Sequence, residues 1–262
     1  MTGINELQKR RPFAGVAPQL CRMKQAGVLA VLWMMVAGST ALAAMPVTGL
    51  TGVWMTDAPH APLKPVAGSA IPLTAAGKAA FAKNAAVLRE RDGKKTDRND
   101  LSACLPYGPL RLLQQPYPLQ LIQRGNLFVL MYEQNHVFEI VYLDEQPDLE
   151  LDPGFMGNSV GAWTRDGIVI TTTGFNDSTF LDDSGLPHSD QLSMTRTLRV
   201  IGQGTRLEVV SSITDPMMYT RPWSVRQELT HRPNLRIEEY VCGQGPTLET
   251  RYTRNGTRPP GQ

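Results

Sequence analysis

The sequence predicts an all-β fold, mainly antiparallel, built as a lipocalin-like barrel or strongly curved sheet of about ten strands with one packed N-terminal helix. Apolar and polar residues alternate through most of the chain after residue 119, as in strands that bury one face. Short connections rich in Gly, Asn and Asp separate these segments and favour hairpins. One segment, near residue 80, has helical spacing instead. Closing such a meander into a barrel removes its exposed edges.

An apolar segment close to the N-terminus predicts a signal peptide. Arg22 and Lys24 precede the apolar residues 28–38, and a small-residue cleavage site ends at Ala43. We therefore expect a periplasmic or secreted protein. The alternative is a retained anchor, but the apolar segment is short for a membrane span, so we expect no stable span after cleavage.

The mature chain is predicted to be a single domain. We expect residues 1–43 to be the signal peptide, with Met23 as an alternative start, residues 44–245 to form a β-barrel-like domain, and residues 246–262 to be a flexible tail. The formal net charge is +2 and the Lys and Arg residues are scattered, which leaves no basic patch for nucleic acid. The sequence does not indicate an oligomeric state.

Two cysteines of the mature chain predict a disulfide. Cys21 lies in the leader, so Cys104 and Cys242 remain as an even pair in an oxidising compartment. The sequence sets no distance between them, and two separate buried thiols are therefore the alternative.

The predicted elements begin with a strand at residues 50–54, whose Gly52 and Trp54 match the opening strand of lipocalin-like barrels. Thr74 can then cap a helix from Ala75 to about Glu90, because its hydroxyl can accept hydrogen bonds from the free amides of the first turn. The remaining predicted strands are residues 119–123, 127–133, 136–143, 159–164, 168–173, 191–201, 206–214, 223–230 and 235–242.

Arg196 is the most informative position in the chain. It interrupts a face that Leu192, Met194, Leu198 and Val200 would otherwise make apolar. Because a buried guanidinium costs several kcal/mol unless it is paired, Arg196 must meet an acidic partner or line a wet cavity.

Other polar residues interrupt predicted inward faces in the same way. Glu133 follows Leu127, Val129 and Met131, and His136 shares a face with Phe138, Ile140 and Tyr142. Gln227 and Glu239 interrupt the apolar faces of the last two predicted strands. Together with Arg196 they predict a polar floor or a binding pocket inside the barrel. The alternative is a buried ion-pair network that fixes only the strand register.

The long connection from Gly174 to Asp190 is predicted to form a rim or lid. Loops of this length in compact domains are often functional. His188 lies beside Asp190, and an imidazole oriented by a carboxylate can act as a general base.

Acidic and polar residues of the same loop are candidates for cation binding and ligand binding. Asp177, Asp182 and Asp183 could bind a hard cation through oxygen, or could form the local hydrogen bonds of turns. A zinc site is not expected, because the mature chain has no close pair of histidines. Asn176 and Asp177 at the rim, with Tyr132, complete the predicted ligand-binding set.

An ordered set of short motifs runs through almost all of the mature chain. The motifs are Cys104-Leu105-Pro106-Tyr107-Gly108, Tyr132-Glu133 with His136, Met156-Gly157 with Ser159, Gly161 and Trp163, Thr173-Gly174-Phe175-Asn176-Asp177, His188-Ser189-Asp190, Asp215-Pro216 with Pro222-Trp223, and Tyr240-Val241-Cys242. This set resembles a family of exported bacterial proteins without an established activity. The resemblance implies a compact, β-rich, lipocalin-like exported domain. One departure is Glu139, where a basic residue is expected, and it puts an anionic ligand there in doubt.

The function expected from these features is the binding of a small, largely apolar molecule in an internal cavity, oriented by Arg196, Glu133 and His136, with no cofactor and no metal. The second hypothesis is a lyase, isomerase or hydrolase that uses His188 or His136 as general base, with Glu133 close by and Arg196 stabilising an oxyanion. The third is a structural module of the cell envelope.

Overall fold

A computed structural model describes residues 49–68, 70–88, 105–147 and 150–240. These residues form a closed barrel of nine strands with two helices. The predicted signal peptide, the predicted tail and both Cys104 and Cys242 lie outside the described residues. The elements are β1 Gly52–Thr56, α1 Ala75–Val87, α2 Pro109–Leu112, β2 Leu119–Arg124, β3 Leu127–Tyr132, β4 Phe138–Leu143, β5 Asn158–Trp163, β6 Ile168–Thr173, β7 Ser193–Ile201, β8 Arg206–Thr214 and β9 Trp223–His231.

The strands follow one another around the barrel in chain order, and β9 pairs with β1 to close it. The predicted all-β barrel is therefore confirmed. The predicted tenth strand, residues 235–242, is wrong over residues 235–240, which have no strand structure. The pairing of β9 with β1 explains this, because a closed barrel has no free edge for a further strand.

One neighbouring pair departs from the hairpin succession. β4 and β5 run parallel, with Val141 opposite Ser159, whereas every other neighbouring pair of the barrel is antiparallel. The connection between them must therefore return the chain to the end of the barrel from which β4 started. It contributes one backbone hydrogen bond to the ladder, from Asp144 to Gly161.

The barrel interior is lined largely by apolar side chains of alternating strand positions. Large, fully buried examples come from opposite sides of the barrel, as Trp54 in β1, Phe128 in β3 and Ile170 in β6 show. Such burial supplies most of the favourable free energy of folding, roughly 1.5–3 kcal/mol for each large apolar side chain.

The assignment of inward faces in β3 and β4 was wrong. The buried side chains of β3 are Phe128, Leu130 and Tyr132, not Leu127, Val129 and Met131. In β4, Glu139 is buried with Val141, whereas Phe138, Ile140 and Tyr142 are exposed.

The turn between these strands explains the error. A 3₁₀ turn, Gln134–His136, joins β3 to β4, and both Asn135 and His136 have positive φ angles, 59° and 49°. The turn interrupts the two-residue alternation, so a face cannot be followed through it. Both faces of β3 are apolar in sequence, and alternation alone therefore could not choose between them.

Both helices lie on loops at one end of the barrel. α1 begins as predicted, because Thr74 caps it by accepting a hydrogen bond from Gly77 N at 2.9 Å. α2 is a single turn that the sequence analysis did not predict, and Pro109 occupies its first position, where the missing amide costs nothing. Within the described residues, neither helix is long and apolar enough to cross a membrane.

Candidate functional site

Arg196 points into the barrel, as predicted, and is fully buried. Its guanidinium binds the Glu139 carboxylate through both terminal nitrogens, with Nη1 donating to Oε2 at 2.9 Å. The predicted need for an acidic partner is thus met, but the partner is Glu139 and not Glu133 or Glu239. Burial alone would lower the pKa of Arg196, but the charge of Glu139 outweighs it and the pKa is raised, so the guanidinium stays charged.

Hydroxyl groups of β3, β5 and β6 complete the network around this ion pair. Ser159 Oγ donates to Glu139 Oε1 at 2.6 Å, and Arg196 Nη2 donates to Thr172 Oγ1 at 3.1 Å. The Tyr132 hydroxyl donates to Glu139 Oε2 at 3.4 Å, and burial together with the nearby Glu139 charge raises the pKa of Tyr132. Tyr132, a predicted ligand-binding residue, therefore belongs to the ion-pair network.

Several buried polar atoms beside this network have no hydrogen-bond partner within the described part of the chain. They are Arg196 Nε, Ser211 Oγ, Trp223 Nε1 and both amide atoms of Gln227. The register places them together, because Ser211 lies directly opposite Arg196 and diagonally from Gln227. A buried polar group without a partner costs about 1–3 kcal/mol, so this cluster requires an explanation.

Glu133 and His136 do not join this interior set. Glu133 is buried, and its Oε2 accepts a hydrogen bond from Glu238 N at 2.9 Å, while His136 Nε2 accepts one from Tyr240 N at 2.7 Å. Both residues thus hold the segment that follows β9. Because that segment is not a strand, the predicted inward face of Glu239 was wrong, and Glu239 is exposed.

His188 is buried in the long loop and contacts polar groups on both sides of its ring. Nε2 lies 2.6 Å from Thr179 Oγ1, and Nδ1 lies 3.0 Å from the Ser189 carbonyl oxygen. A carbonyl, rather than the predicted carboxylate of Asp190, therefore faces Nδ1, and Asp190 is exposed. The side chain of Ser189 turns away and donates to Asp215 Oδ1 at 2.9 Å.

The acidic residues of the loop have separate surroundings. Asp182 accepts hydrogen bonds from the Ser184 amide and hydroxyl and from Leu186 N, as a carboxylate that stabilises a local turn does. Asn176 likewise accepts from Ser178 N at 3.1 Å. Among the residues that the structure describes, no three His, Cys, Asp or Glu side chains are grouped to hold a metal ion.

Asp183 anchors the loop to α2 and to the segment before α1. It binds Arg111 Nε and His60 Nδ1, each at 2.5 Å. Burial alone would raise the pKa of Asp183, but the hydrogen bond from His60 and the charge of Arg111 outweigh it and lower the pKa from 3.8 to about 2.

Asp183→Asn is expected to lower the free energy of unfolding at neutral pH by about 2 kcal/mol, because it removes a charged hydrogen-bond acceptor. Since the folded-state pKa is depressed, the contribution of Asp183 is complete above the unfolded pKa near 4 and is lost as the pH falls towards about 2. Urea unfolding from neutral pH downwards should show the difference between the two proteins narrowing through this window. The same change at exposed Asp152 should not show it.

A cleft of about 590 Å³ opens between α1 and the long loop. Its polar lining includes Lys83 of α1 with Thr179 and His188 of the loop, and its apolar lining includes Phe180 and Met218. Asp177, predicted at the rim, also borders it. The cleft therefore combines apolar walls with a hydrogen-bonded hydroxyl–imidazole pair.

Sequence reasoning missed four residues on which these arrangements depend: Glu139, Ser211, Thr179 and Asp215. Ser211 had a usable signal, since it interrupts the buried face of Leu207, Val209 and Ile213 in the way Arg196 interrupts its own. Glu139 interrupts Val137, Val141 and Leu143 in the same way, but the opposite face of β4 is apolar too, so the pattern could not choose between the two faces. Thr179 and Asp215 lie outside the strands, where alternation gives no signal.

No protein-family model matches the chain, and no curated protein or solved structure matches it significantly.

Proposed function

We propose that this chain is an exported small-molecule-binding barrel that holds a polar group of its ligand inside the barrel, between β7, β8 and β9. Arg196 and Gln227 of the predicted ligand-binding set form this site together with Ser211. Glu133, His136 and Glu239 are not part of it, because Glu133 and His136 bind the segment after β9 and Glu239 is exposed.

The observation that supports the proposal is the group of unpartnered buried atoms on one inward patch. Arg196 Nε is a donor, Ser211 Oγ can donate or accept, and the Gln227 amide does both. Arg196 and Ser211 are fully buried, so bulk water does not reach them. A bound molecule that supplies both an acceptor and a donor would remove the cost of these atoms.

The surroundings also define the chemical class of the ligand. The charges of Arg196 and Glu139 neutralise each other, so the site favours a neutral group over an ion. Apolar side chains flank the patch along the same strands, with Leu198 and Val209 on one side and Met194 and Ile213 on the other. A largely apolar molecule that carries an amide, a protonated acid or a hydroxyl group fits this environment.

Replacing the unpartnered groups by apolar side chains tests the proposal. In protein purified under native conditions, Ser211→Ala and Gln227→Leu should each lower the free energy of unfolding by about 1–3 kcal/mol, because each removes a contact to the ligand. After unfolding, dialysis and refolding, wild type should be less stable. The two substitutions should then be neutral or stabilising, because they remove buried groups that nothing satisfies.

Urea unfolding measures each free energy, and mass spectrometry of an organic extract should detect the released molecule. Ser212→Ala is the matched control, since Ser212 is the outward neighbour on the same strand. If Ser211→Ala and Gln227→Leu lose the same stability before and after this stripping by unfolding and dialysis, exchangeable water fills the site. If the two variants are more stable than wild type by the same amount in native and in refolded protein, nothing fills the site. Either result contradicts the proposal.

A further inference from the structure

We propose that Thr179 and His188 form a nucleophile–base pair that cleaves carboxylic esters in the cleft between α1 and the long loop. This activity is separate from binding inside the barrel, because the cleft is lined by α1 and by loop residues and not by Ser211 or Gln227.

The hydrogen bonds around His188 fix a tautomer suited to a general base. The Ser189 carbonyl can only accept, so the Nδ1 atom that faces it at 3.0 Å carries the proton. The lone pair of Nε2 then accepts the hydrogen bond of the Thr179 hydroxyl, 2.6 Å away. A hydroxyl within hydrogen-bond reach of a basic nitrogen, with a third group orienting the ring, is the arrangement of an activated nucleophile.

The residues behind the pair hold it in place. Asp215 is buried and accepts hydrogen bonds from both the amide and the hydroxyl of Ser189, at 2.6 and 2.9 Å, which fixes the residue whose carbonyl orients His188. The ring of Phe175 packs edge-on against the imidazole, with ring centroids 6.1 Å apart. The pair is therefore positioned by packing as well as by hydrogen bonds.

The cleft indicates the class of substrate. Its volume of about 590 Å³ is that of a site for a small molecule. Phe180, Val87 and Met218 give apolar surface for an acyl chain. Lys83 lines the same cleft with the carboxylates of Asp177 and Asp190, and its ammonium is the group there that can stabilise the negative oxygen that develops during attack on a carbonyl.

The reaction proceeds in two steps, acylation of Thr179 and hydrolysis of the acyl-threonine. Thr179 Oγ1 attacks the ester carbonyl carbon while His188 Nε2 takes the hydroxyl proton. The bond from carbon to the leaving oxygen then breaks, and His188 returns the proton to that oxygen, which leaves as an alcohol. Water next attacks the acyl-threonine with His188 again as base, releasing the carboxylic acid and restoring the Thr179 hydroxyl.

Hydrolysis of p-nitrophenyl acetate and p-nitrophenyl butyrate by the purified chain tests this inference. Thr179→Ala and His188→Gln should each lower the second-order rate constant by about 100-fold or more, whereas Thr179→Ser should retain turnover. Intact-mass spectrometry should detect one acyl group on wild type and none on Thr179→Ala. Ser178→Ala is the matched control, since it deletes the neighbouring hydroxyl, which does not line the cleft.

The thermal midpoint of each variant should be measured beside its rate, so that loss of fold is separated from loss of chemistry. Hydrolysis by wild type no faster than by free imidazole at equal concentration would overturn the inference whatever the variants do. Full activity in Thr179→Ala would also overturn it. Neither result would affect the ligand site inside the barrel, which the stripping experiment tests without any ester.

Discussion

Glu139→Gln should destabilise the barrel by about 3–5 kcal/mol, because it leaves the Arg196 guanidinium buried without a counter-charge. Arg196→Met should cost less. The Glu139 carboxyl that it leaves behind can take up a proton, and Ser159 still donates a hydrogen bond to it. A guanidinium cannot become neutral in this way, because it does not lose its proton in proteins. Glu139→Gln should therefore lose more stability than Arg196→Met, because only the carboxyl group can become neutral.

A double-mutant cycle with urea unfolding measures this interaction. In the cycle of Glu139→Leu and Arg196→Met, the double variant should recover most of the stability that Glu139→Leu alone loses, because an apolar pair can replace a buried ion pair at little cost. Glu228→Gln is the matched control. Glu228 meets Arg206 at 3.3 Å on the barrel surface with both side chains about two-fifths exposed, so its loss should be below about 1 kcal/mol. Equal effects at Glu139 and Glu228 would contradict the buried charge pairing.

The sequence predicted Arg196 correctly because the alternation around it is uninterrupted. Met194, Arg196 and Leu198 lie in one straight strand, and each is buried as the two-residue period requires. Its partner could not be predicted in the same way. Glu139 follows a turn with two positive φ angles, which shifts the alternation and places Phe138, Ile140 and Tyr142 on the outside.

The barrel was predictable from local patterns, but its parallel pair was not. Turn residues and alternation identify strands and hairpins within a few residues of one another. The parallel pairing of β4 with β5 depends on a long connection that returns the chain to the end of the barrel where β4 started, and the pairing brings Ser159 beside Glu139. The polar network therefore follows from a topological feature that alternation does not encode.

The contacts of the long loop were less predictable from the sequence than those of the strands. Its length and its histidine indicated a candidate site, yet the groups around His188 come from positions that no pattern connects. Thr179 lies nine residues earlier, and Asp215, which holds Ser189, lies 26 residues later than Ser189. Contacts of this kind depend on how the loop folds over the end of the barrel, and hydrogen-bonding capacity alone does not predict them.

Asp215→Ala is expected to produce the second large loss of stability, about 3 kcal/mol or more. The Asp215 carboxylate is buried and accepts hydrogen bonds from Ser189 N and Ser189 Oγ and also from Met217 N and Met218 N, at 2.6 to 3.2 Å. Alanine would leave these donors without their acceptor, and each unsatisfied buried donor costs about 1–3 kcal/mol. Water that enters the site would form some of these hydrogen bonds, so the net loss of stability should be smaller than the total for four unsatisfied donors.

Hydrogen exchange read residue by residue, together with urea unfolding, distinguishes a local from a global loss. If the loop opens independently of the barrel, the amides of Ser189 and Met218 should lose protection while those of β7 and β8 keep it. Asp190→Ala is the control, because that carboxylate lies one residue from Ser189 but is exposed, and its removal should change the stability by less than about 0.5 kcal/mol. A small effect of Asp215→Ala on both measurements would mean that the loop does not depend on this carboxylate. In that case Asp215 could not be the group that holds Ser189, and through it His188, in position.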